Sequence, residues 1–519
     1  MSVHLVGAGP GDEGLITVKG LRLLRIADVI IYDRLADRSL LRAAKPGARL
    51  IFSGKRAGCH SMPQAEINAL LIEEGRAAAQ NGQVVVRLKG GDPFLFGRGA
   101  EELEALQTAG LSCEVVPGVT SALAAPGYAG IPLTHRDFSS SVAIVSGHGA
   151  AGNPEPEWAM IANSVDTLVV LMGLGNLAEI TRRIMDGGVA PETPAAVVEW
   201  GSTGRQRKVI GSLQDIVAKV KGAGIEPPSV LVLGKVAELG GAPSWFEQKP
   251  LFGRRIVITR AKEQAAELAG ELKDFGADVL EFPVLKIRPV QDRTPLRKLL
   301  RNLNKYSWLV FTSANGVIEF FKIIDDEGLD SRHLSALKLA AIGPGTASAL
   351  FARGLKVDYM PDEHIAESLA EGLAKQAVTN GGAVLPVLVV RAKVARNALE
   401  NIMEQAGVAV EIAAVYETGL PPEDCLFTQA RKEVLAALSE NSVDGIVFCS
   451  PSAVDNFFKL VPVEGLTGKD AVFACIGPVT ADRLKKYGLA CTVQPKAYNL
   501  EALVNALVDF FTPAVEETK

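Results

Sequence analysis

The chain has 519 residues, 48% of them hydrophobic and 22% charged, with a formal net charge of −5. That length exceeds what one hydrophobic core supports, so several domains are expected. The acidic balance argues against nucleic acid as a partner, and no uninterrupted apolar run approaches the ~20 residues of a membrane span, so no membrane partner is expected. The N-terminus enters an apolar run at once, without a basic region or cleavage site, so no secretory signal is expected. The six cysteines, at 59, 113, 425, 449, 475 and 491, show no CxxC spacing and no clustering with histidine. That predicts reduced thiols in the cytoplasm, with no disulfide framework and no metal site.

Apolar, β-branched runs alternate with helical patterns along the whole chain, which predicts an α/β architecture with largely parallel sheets. The first strand leads into Val6-Gly-Ala-Gly-Pro-Gly-Asp12. This is not a dinucleotide fingerprint, because Asp12 takes the third glycine position and Pro10 stiffens the loop. A strand from Val84 to Leu88 then runs into Gly90-Gly-Asp-Pro93 and Phe94-Leu-Phe-Gly-Arg-Gly99. Glycine at the carboxyl end of a parallel strand lets a bound molecule approach the backbone, so this turn is a predicted ligand site. The chain restarts at Val142-Ala-Ile-Val-Ser146, and later strands end in Leu171-Met-Gly173 and Glu199-Trp-Gly-Ser-Thr203. The stretch from Gly240 to Gly253 is rich in glycine and proline and marks the main domain boundary.

Beyond it the chain repeats itself. Phe311-Thr-Ser-Ala-Asn-Gly-Val317 echoes Phe448-Cys-Ser-Pro-Ser-Ala-Val454, and Ala341-Ile-Gly-Pro-Gly-Thr346 echoes Cys475-Ile-Gly-Pro-Val-Thr480. Ile258-Thr-Arg-Ala-Lys262 likewise echoes Val389-Val-Arg-Ala-Lys393. The period is too long for a solenoid, so two similar α/β domains with paired loops facing one cleft are expected.

With the glycine-rich segments at 6–12 and 87–99, Gly54-Lys-Arg-Ala-Gly-Cys-His60 and Ile131-Pro-Leu-Thr-His-Arg-Asp137 make the region from about residue 3 to 240 resemble the uroporphyrinogen-III C-methyltransferases. The resemblance implies a tetrapyrrole-methylase fold, with two α/β subdomains (1–136 and 137–243) flanking a cleft and a linker at 244–253. It implies S-adenosylmethionine as cofactor, S-adenosylhomocysteine as its product, and contacts from Pro10, Gly90, Gly91, Asp92, Leu95, Thr120, Ser121, Met172 and Gly201. Asp33 and Lys55 become the acid/base pair, and a homodimer through this half is implied. From the residues alone, Asp33 equally suits a helix cap and Met172 a core position. Uroporphyrinogen III is rich in carboxylates, so its site needs grouped cations. The candidates are Arg56, His60, Arg98, His135 and Arg136, with Arg87 and Lys89 beside them; Arg98, between two glycines, has no apparent packing reason. The chain departs from the family at Ala100, Ser146 and Leu171, where glycine, threonine and tyrosine are usual.

Residues 254–508 resemble uroporphyrinogen-III synthase through the paired Phe-Thr-Ser/Phe-Cys-Ser and Ile-Gly-Pro motifs and Val415-Tyr-Glu-Thr418. Within a synthase region of 254–511, this implies two flavodoxin-like domains joined by a two-stranded ladder, one formed by 254–283 with 419–508 and the other by 288–413. It implies a cofactor-free closure of hydroxymethylbilane in which Tyr416 assists loss of the hydroxyl. Ser313, Asn315, Thr346, Ser450, Ser452 and Thr480 would hold carboxylates, although each hydroxyl also suits capping of the following helix. The two resemblances imply a bifunctional enzyme that makes precorrin-2 from hydroxymethylbilane. The alternative is a methyltransferase for another tetrapyrrole or corrinoid with a non-catalytic ligand-binding C-terminal module. A siroheme synthase that also oxidises and metallates is excluded, since no third nucleotide-binding strand–turn–helix remains.

Overall fold

The structure is a computed structural model that describes residues 2–54, 62–148, 156–379, 385–395, 397–423, 425–462, 466 and 471–512. The chain divides into two compact units, Met1–Arg255 with Ala269–Val279, and Ile256–Leu268 with Leu280–Lys519. Among the described residues, no helix is long and apolar enough to cross a membrane.

In the first unit, β1 (Val3–Gly7), β2 (Val29–Tyr32), β3 (Arg49–Phe52), β4 (Val85–Lys89) and β5 (Cys113–Val116) form a sheet of order β3-β2-β4-β1-β5. Every pairing in it is parallel. Strands covered on both faces need continuous apolar runs, and Val3, Leu5, Val6, Ile30, Ile31, Val85, Val86 and Leu88 are all buried. The carboxyl ends of β4, β1 and β5 therefore lie side by side, the edge at which open α/β sheets take ligands.

A second sheet contains β6 (Val142–Ser146), β7 (Thr167–Leu171), β8 (Pro194–Glu199), β9 (Arg207–Ser212) and β10 (Ser229–Leu233), in the order β6-β7-β10-β8-β9. Here the expectation of parallel strands holds only for β6 and β7; the other pairings are antiparallel. The seven residues between β8 and β9 are too few for a crossover, which takes about a dozen, so β9 must return beside β8. The expected linker at 244–253 is packed rather than loose. Phe246 is buried, with its ring 4.9 Å from that of Tyr128, and Glu247 takes Lys208 at 2.7 Å. Its aromatic residues have more to gain from burial than its prolines and glycines have from exposure.

The remaining strands are β11 (Arg255–Ile258), β12 (Asp278–Glu281), β13 (Lys286–Pro289), β14 (Trp308–Phe311), β15 (Lys338–Ala341), β16 (Val387–Ala392), β17 (Val410–Gly419), β18 (Gly445–Phe448) and β19 (Val472–Cys475). They form two sheets, β12-β11-β18-β19 and β13-β17-β16-β14-β15. We call the lobes built on them the first and the second. The repeated motifs make β12-β11-β18-β19 correspond strand for strand to β17-β16-β14-β15, although the chain visits the strands in a different order. The register agrees: Ile258 lies opposite Val447 in the first lobe, and Val389 opposite Val310 in the second. β13 pairs antiparallel with β17, Lys286 opposite Gly419 and Pro289 opposite Tyr416, where the chain enters and leaves the second lobe.

The first lobe's core centres on Phe457, fully buried, with the rings of Phe448 and Phe458 5.4 and 5.3 Å away. Phe457→Ala is expected to cost about 3–5 kcal/mol of stability, read by denaturant unfolding. A loss below ~1 kcal/mol is inconsistent with that core.

Candidate functional site

Three glycines bring the ends of β1, β4 and β5 together. A Cβ on Gly7 would stand 2.5 Å from the Gly118 Cα, and one on Gly118 would stand 2.2 Å from the Gly91 carbonyl oxygen. The strands continue past their ends as a backbone ladder, with Ala8 N donating to Lys89 O and Gly91 N to Gly9 O, each at 2.7 Å. Gly91 differs from the other two. Its φ is +67°, and a Cβ there would meet only the Thr120 Cα, at 4.0 Å. Glycine is needed here for the turn and not for space, which leaves that backbone face open to a ligand. Asp92 fastens the turn: its Oδ1 accepts from Phe94 N (2.7 Å) and Leu95 N (3.0 Å), and its Oδ2 from Gly118 N (3.0 Å). Thr120 caps the helix Ser121–Tyr128 by accepting from Ala122 N.

Loops of the second sheet meet these. Gly11 approaches Thr203 so closely that a Cβ would stand 2.5 Å from its Cγ2, and Asp12 N donates to Ser202 Oγ at 3.4 Å. A Cβ on Gly201 would stand 2.3 Å from that of Ala125. The Tyr128 hydroxyl donates to Asp12 Oδ2 at 2.7 Å; burial, then this carboxylate, raises its pKa. Leu95 and Leu171 share one apolar cluster with Ala122 and Ala125. Met172, next along the chain, is 47% exposed. It has a φ of +56°, and Phe96, Arg98, Trp200 and Ser202 are left-handed too; among the described non-glycine residues only Asn441 joins them from elsewhere. Each costs on the order of 1–2 kcal/mol, and such strain gathers where a ligand surface is held in shape.

Behind the turn lies a buried charge cluster. Glu102, fully buried, takes Lys89 at 2.8 Å and Arg87 at 3.3 Å through Oε1. Arg87 also donates to the carbonyls of Ile31 and Leu88 and stands 3.6 Å from Asp33 Oδ2. Asp33 Oδ1 accepts from the backbone N–H groups of Leu35 and Ala36 (3.1 Å each) and Gly90 (3.4 Å). Burial, then the neighbouring guanidinium of Arg87, lowers the Lys89 pKa against the pull of Glu102.

In the C-terminal half, the loops after β14 and β18 carry helix caps. Ser313 Oγ accepts from Gly316 N at 3.0 Å, and Ser450 Oγ from Ala453 N at 3.2 Å. Ser313 also hydrogen-bonds the Tyr416 hydroxyl at 3.0 Å. Asn315 Oδ1 accepts from Gln264 Nε2 at 2.5 Å, a bond that spans both lobes. Burial raises the Tyr416 pKa above the ordinary tyrosine value, while Ser313 and Asn315 oppose the shift. The phenol therefore keeps its proton at neutral pH.

Residues 2–217 match the family of Tetrapyrrole (Corrin/Porphyrin) Methylases, and residues 266–505 match Uroporphyrinogen-III synthase HemD. The chain is 36% identical over 511 residues to the porphyrin biosynthesis protein HemD of Ruminiclostridium josui, an alignment spanning 98% of this chain and 97% of that one. The chain belongs to the family of fused tetrapyrrole methylases and uroporphyrinogen-III synthases. A uroporphyrinogen-III C-methyltransferase of Bacillus subtilis is 44% identical over 359 residues, covering 68% of this chain and 72% of its own. Among solved structures, the uroporphyrin-III C-methyl transferase of Thermus thermophilus complexed with S-adenyl homocysteine is 41% identical, with 46% of this chain and 100% of that one covered and a TM-score of 0.39.

Within this family member, the loops carrying Pro10, Gly90, Gly91, Asp92, Leu95, Thr120, Ser121, Met172 and Gly201 converge as described. Asp92 is nonetheless spent on backbone N–H groups, which is a structural duty. The cations are distributed differently from expectation. Arg87 and Lys89 are buried partners of Glu102, because their side chains point to one face inside a covered sheet and need a counter-charge. Arg98 is exposed and forks onto Glu101 at 2.7–2.8 Å. The His135 ring stacks on Phe138 with centroids 4.0 Å apart. Arg136 lines a cavity with Ser140, Asp166, Pro194 and Lys235, at the end of the second sheet opposite Met172, and so does not join the loop cluster. Lys55, Arg56 and His60 lie outside the described residues. In the other half, Thr346 and Thr480 are 4% and 3% exposed, in the first turns of the helices Pro344–Phe351 and Pro478–Lys485. Ser313, Asn315, Ser450 and Ser452 remain at the loop ends.

Sequence reasoning passed over Glu102, although two basic residues two apart in a buried strand signal a missing acid. Glu102→Gln leaves two buried cations short of their shared counter-charge. It is expected to cost about 3–5 kcal/mol in thermal or denaturant unfolding, where an exposed pair would cost under ~1 kcal/mol.

Proposed function

We infer that the C-terminal half closes hydroxymethylbilane to uroporphyrinogen III with inversion of the last pyrrole ring. The N-terminal half then transfers two methyl groups from S-adenosylmethionine to that product, giving precorrin-2. The observation that carries this is collinearity: one relative aligns over 98% of the chain, and the two family matches occupy its two halves in turn. The chemistry agrees, because the product of the second half is the substrate of the first.

In the methyltransferase half, the backbone at Pro10, Gly90, Gly91 and Gly201 and the side chains of Leu95, Thr120, Ser121 and Met172 would hold the cofactor. The open, left-handed turn at Gly91 and the exposed, strained Met172 support that assignment. When bound, S-adenosylmethionine supplies an electrophilic methyl group on a sulfonium. Positioning of the pyrrole carbon against it is the larger part of the acceleration. Asp33 has one oxygen fixed by three N–H groups, which leaves Oδ2 as the atom able to take a proton, with Arg87 beside it. In the synthase half, Tyr416 is a protonated phenol held by Ser313, suited to donate to a departing hydroxyl. Ser450 and Ser452 complete the polar loop ends. The reading includes a homodimer through the methyltransferase half and a cytoplasmic location.

The full chain given hydroxymethylbilane and S-adenosylmethionine is expected to yield dimethylated product by mass spectrometry. Formation of uroporphyrinogen I alone would mean that the second half is a non-catalytic module. Asp33→Asn is expected to lower methylation by ~10²-fold or more and leave cyclisation intact, and Tyr416→Phe to lower cyclisation and leave methylation of supplied uroporphyrinogen III intact. If either substitution removed both activities, the two-site reading would fail.

A further inference from the structure

The corresponding sheets of the two lobes place Arg260 and Arg391 at equivalent positions, one at the end of β11 and the other near the end of β16. Both sit beside the strand from which the chain turns the other way, β18 and β14 respectively. In doubly wound sheets that crevice takes the ligand. Their surroundings differ. Arg391 is 8% exposed and neutralised: its Nη1 lies 2.8 Å from Glu400, also buried, and its Nη2 donates to Asn397 Oδ1 at 3.1 Å. Arg260 has no hydrogen bond and no ion pair among the described residues, and its Nη1 is enclosed without an acceptor. Glu267, on the helix that follows, is exposed to solvent. Arg260 lies two residues past β11, and β18, its register partner, runs directly into Cys449 and the loop of Ser450 and Ser452, at the ligand end of the sheet. The charge of Arg260 pulls the Cys449 pKa down, although burial, the larger cause, leaves it raised to about 11.

A buried guanidinium nitrogen without an acceptor is costly to the folded protein, and a carboxylate is the acceptor that matches its planar fork. We propose that Arg260 binds a substrate carboxylate in the synthase half, while its counterpart Arg391 is a structural residue closed off by Glu400. This rests on the synthase reading above. The duplicated cleft thereby has one charged side and one neutralised side.

The test uses the full chain. Arg260→Gln is expected to raise the KM for hydroxymethylbilane about tenfold or more, ~1.4 kcal/mol, with the KM for uroporphyrinogen III in methylation unchanged. Arg260→Lys keeps the charge but loses the fork and is expected to fall between. Arg391→Gln is expected instead to lower the melting temperature by about 5 °C or more, since it strands a buried carboxylate. An unchanged bilane KM in Arg260→Gln overturns the assignment; if that variant does not fold, an unchanged KM in Arg260→Lys does so. A wild-type protein yielding only uroporphyrinogen I overturns the synthase reading, and the proposal with it, which separates the two failures.

Discussion

The approach of three backbones at Gly7, Gly91 and Gly118 decides the geometry of the N-terminal site. No side chain fits at Gly7 or Gly118, so the loops after β1, β4 and β5 are in direct main-chain contact. That contact fixes where the 92–98 segment leaves the sheet, and Asp92 then pins the segment to Gly118. Once these loops are fixed, Thr120 starts its helix beside Gly91, and the helix carries Ala125 against Gly201. The surface offered to a ligand is therefore mostly backbone, which suits a molecule recognised by amide groups and apolar walls. Close packing of this kind tolerates no added methyl group, because interiors are already near crystal density.

Charge in the same region obeys a separate constraint. Arg87 and Lys89 lie in a strand covered on both faces, so water cannot solvate them and Glu102 must. Breaking such a buried pair is far more damaging than never having built it. The arrangement earns its place by what it touches at its outer edge, where Arg87 faces Asp33 at 3.6 Å. The fixed cation and three N–H donors hold that carboxylate in one orientation.

Much of this was legible in the sequence, and the gaps have physical causes. The strands ending at Gly7, Lys89 and Leu171 were readable from largely apolar, β-branched runs that meet glycine. The repeat in the second half gave two similar lobes from self-comparison alone. The reversal of β10 between β7 and β8 was not legible, since a buried strand reads the same whichever way it runs. Charge at Arg87 and Lys89 was not legible for a related reason: a cation near a recognised loop can face either side of the sheet. Thr346 and Thr480 sit in motifs that repeat faithfully, and both are buried in the first turn of the helix that follows.

The duplication also carries a lesson about symmetry. Two lobes with the same strand order and register would present a cleft with two equivalent sides. A linear substrate with a hydroxymethyl group at one end has no such equivalence, and closing it with one ring inverted requires its ends to be told apart. The chain breaks the symmetry in its side chains and leaves the sheets alike. Tyr416 stands on β17, whereas β12, the equivalent strand, is Asp-Val-Leu-Glu and offers no phenol. Arg391 is cancelled by Glu400, whereas Arg260 has no such partner among the described residues. Tyr416 thus stands in one lobe and Arg260 in the other, so the two lobes are chemically unlike although their sheets correspond.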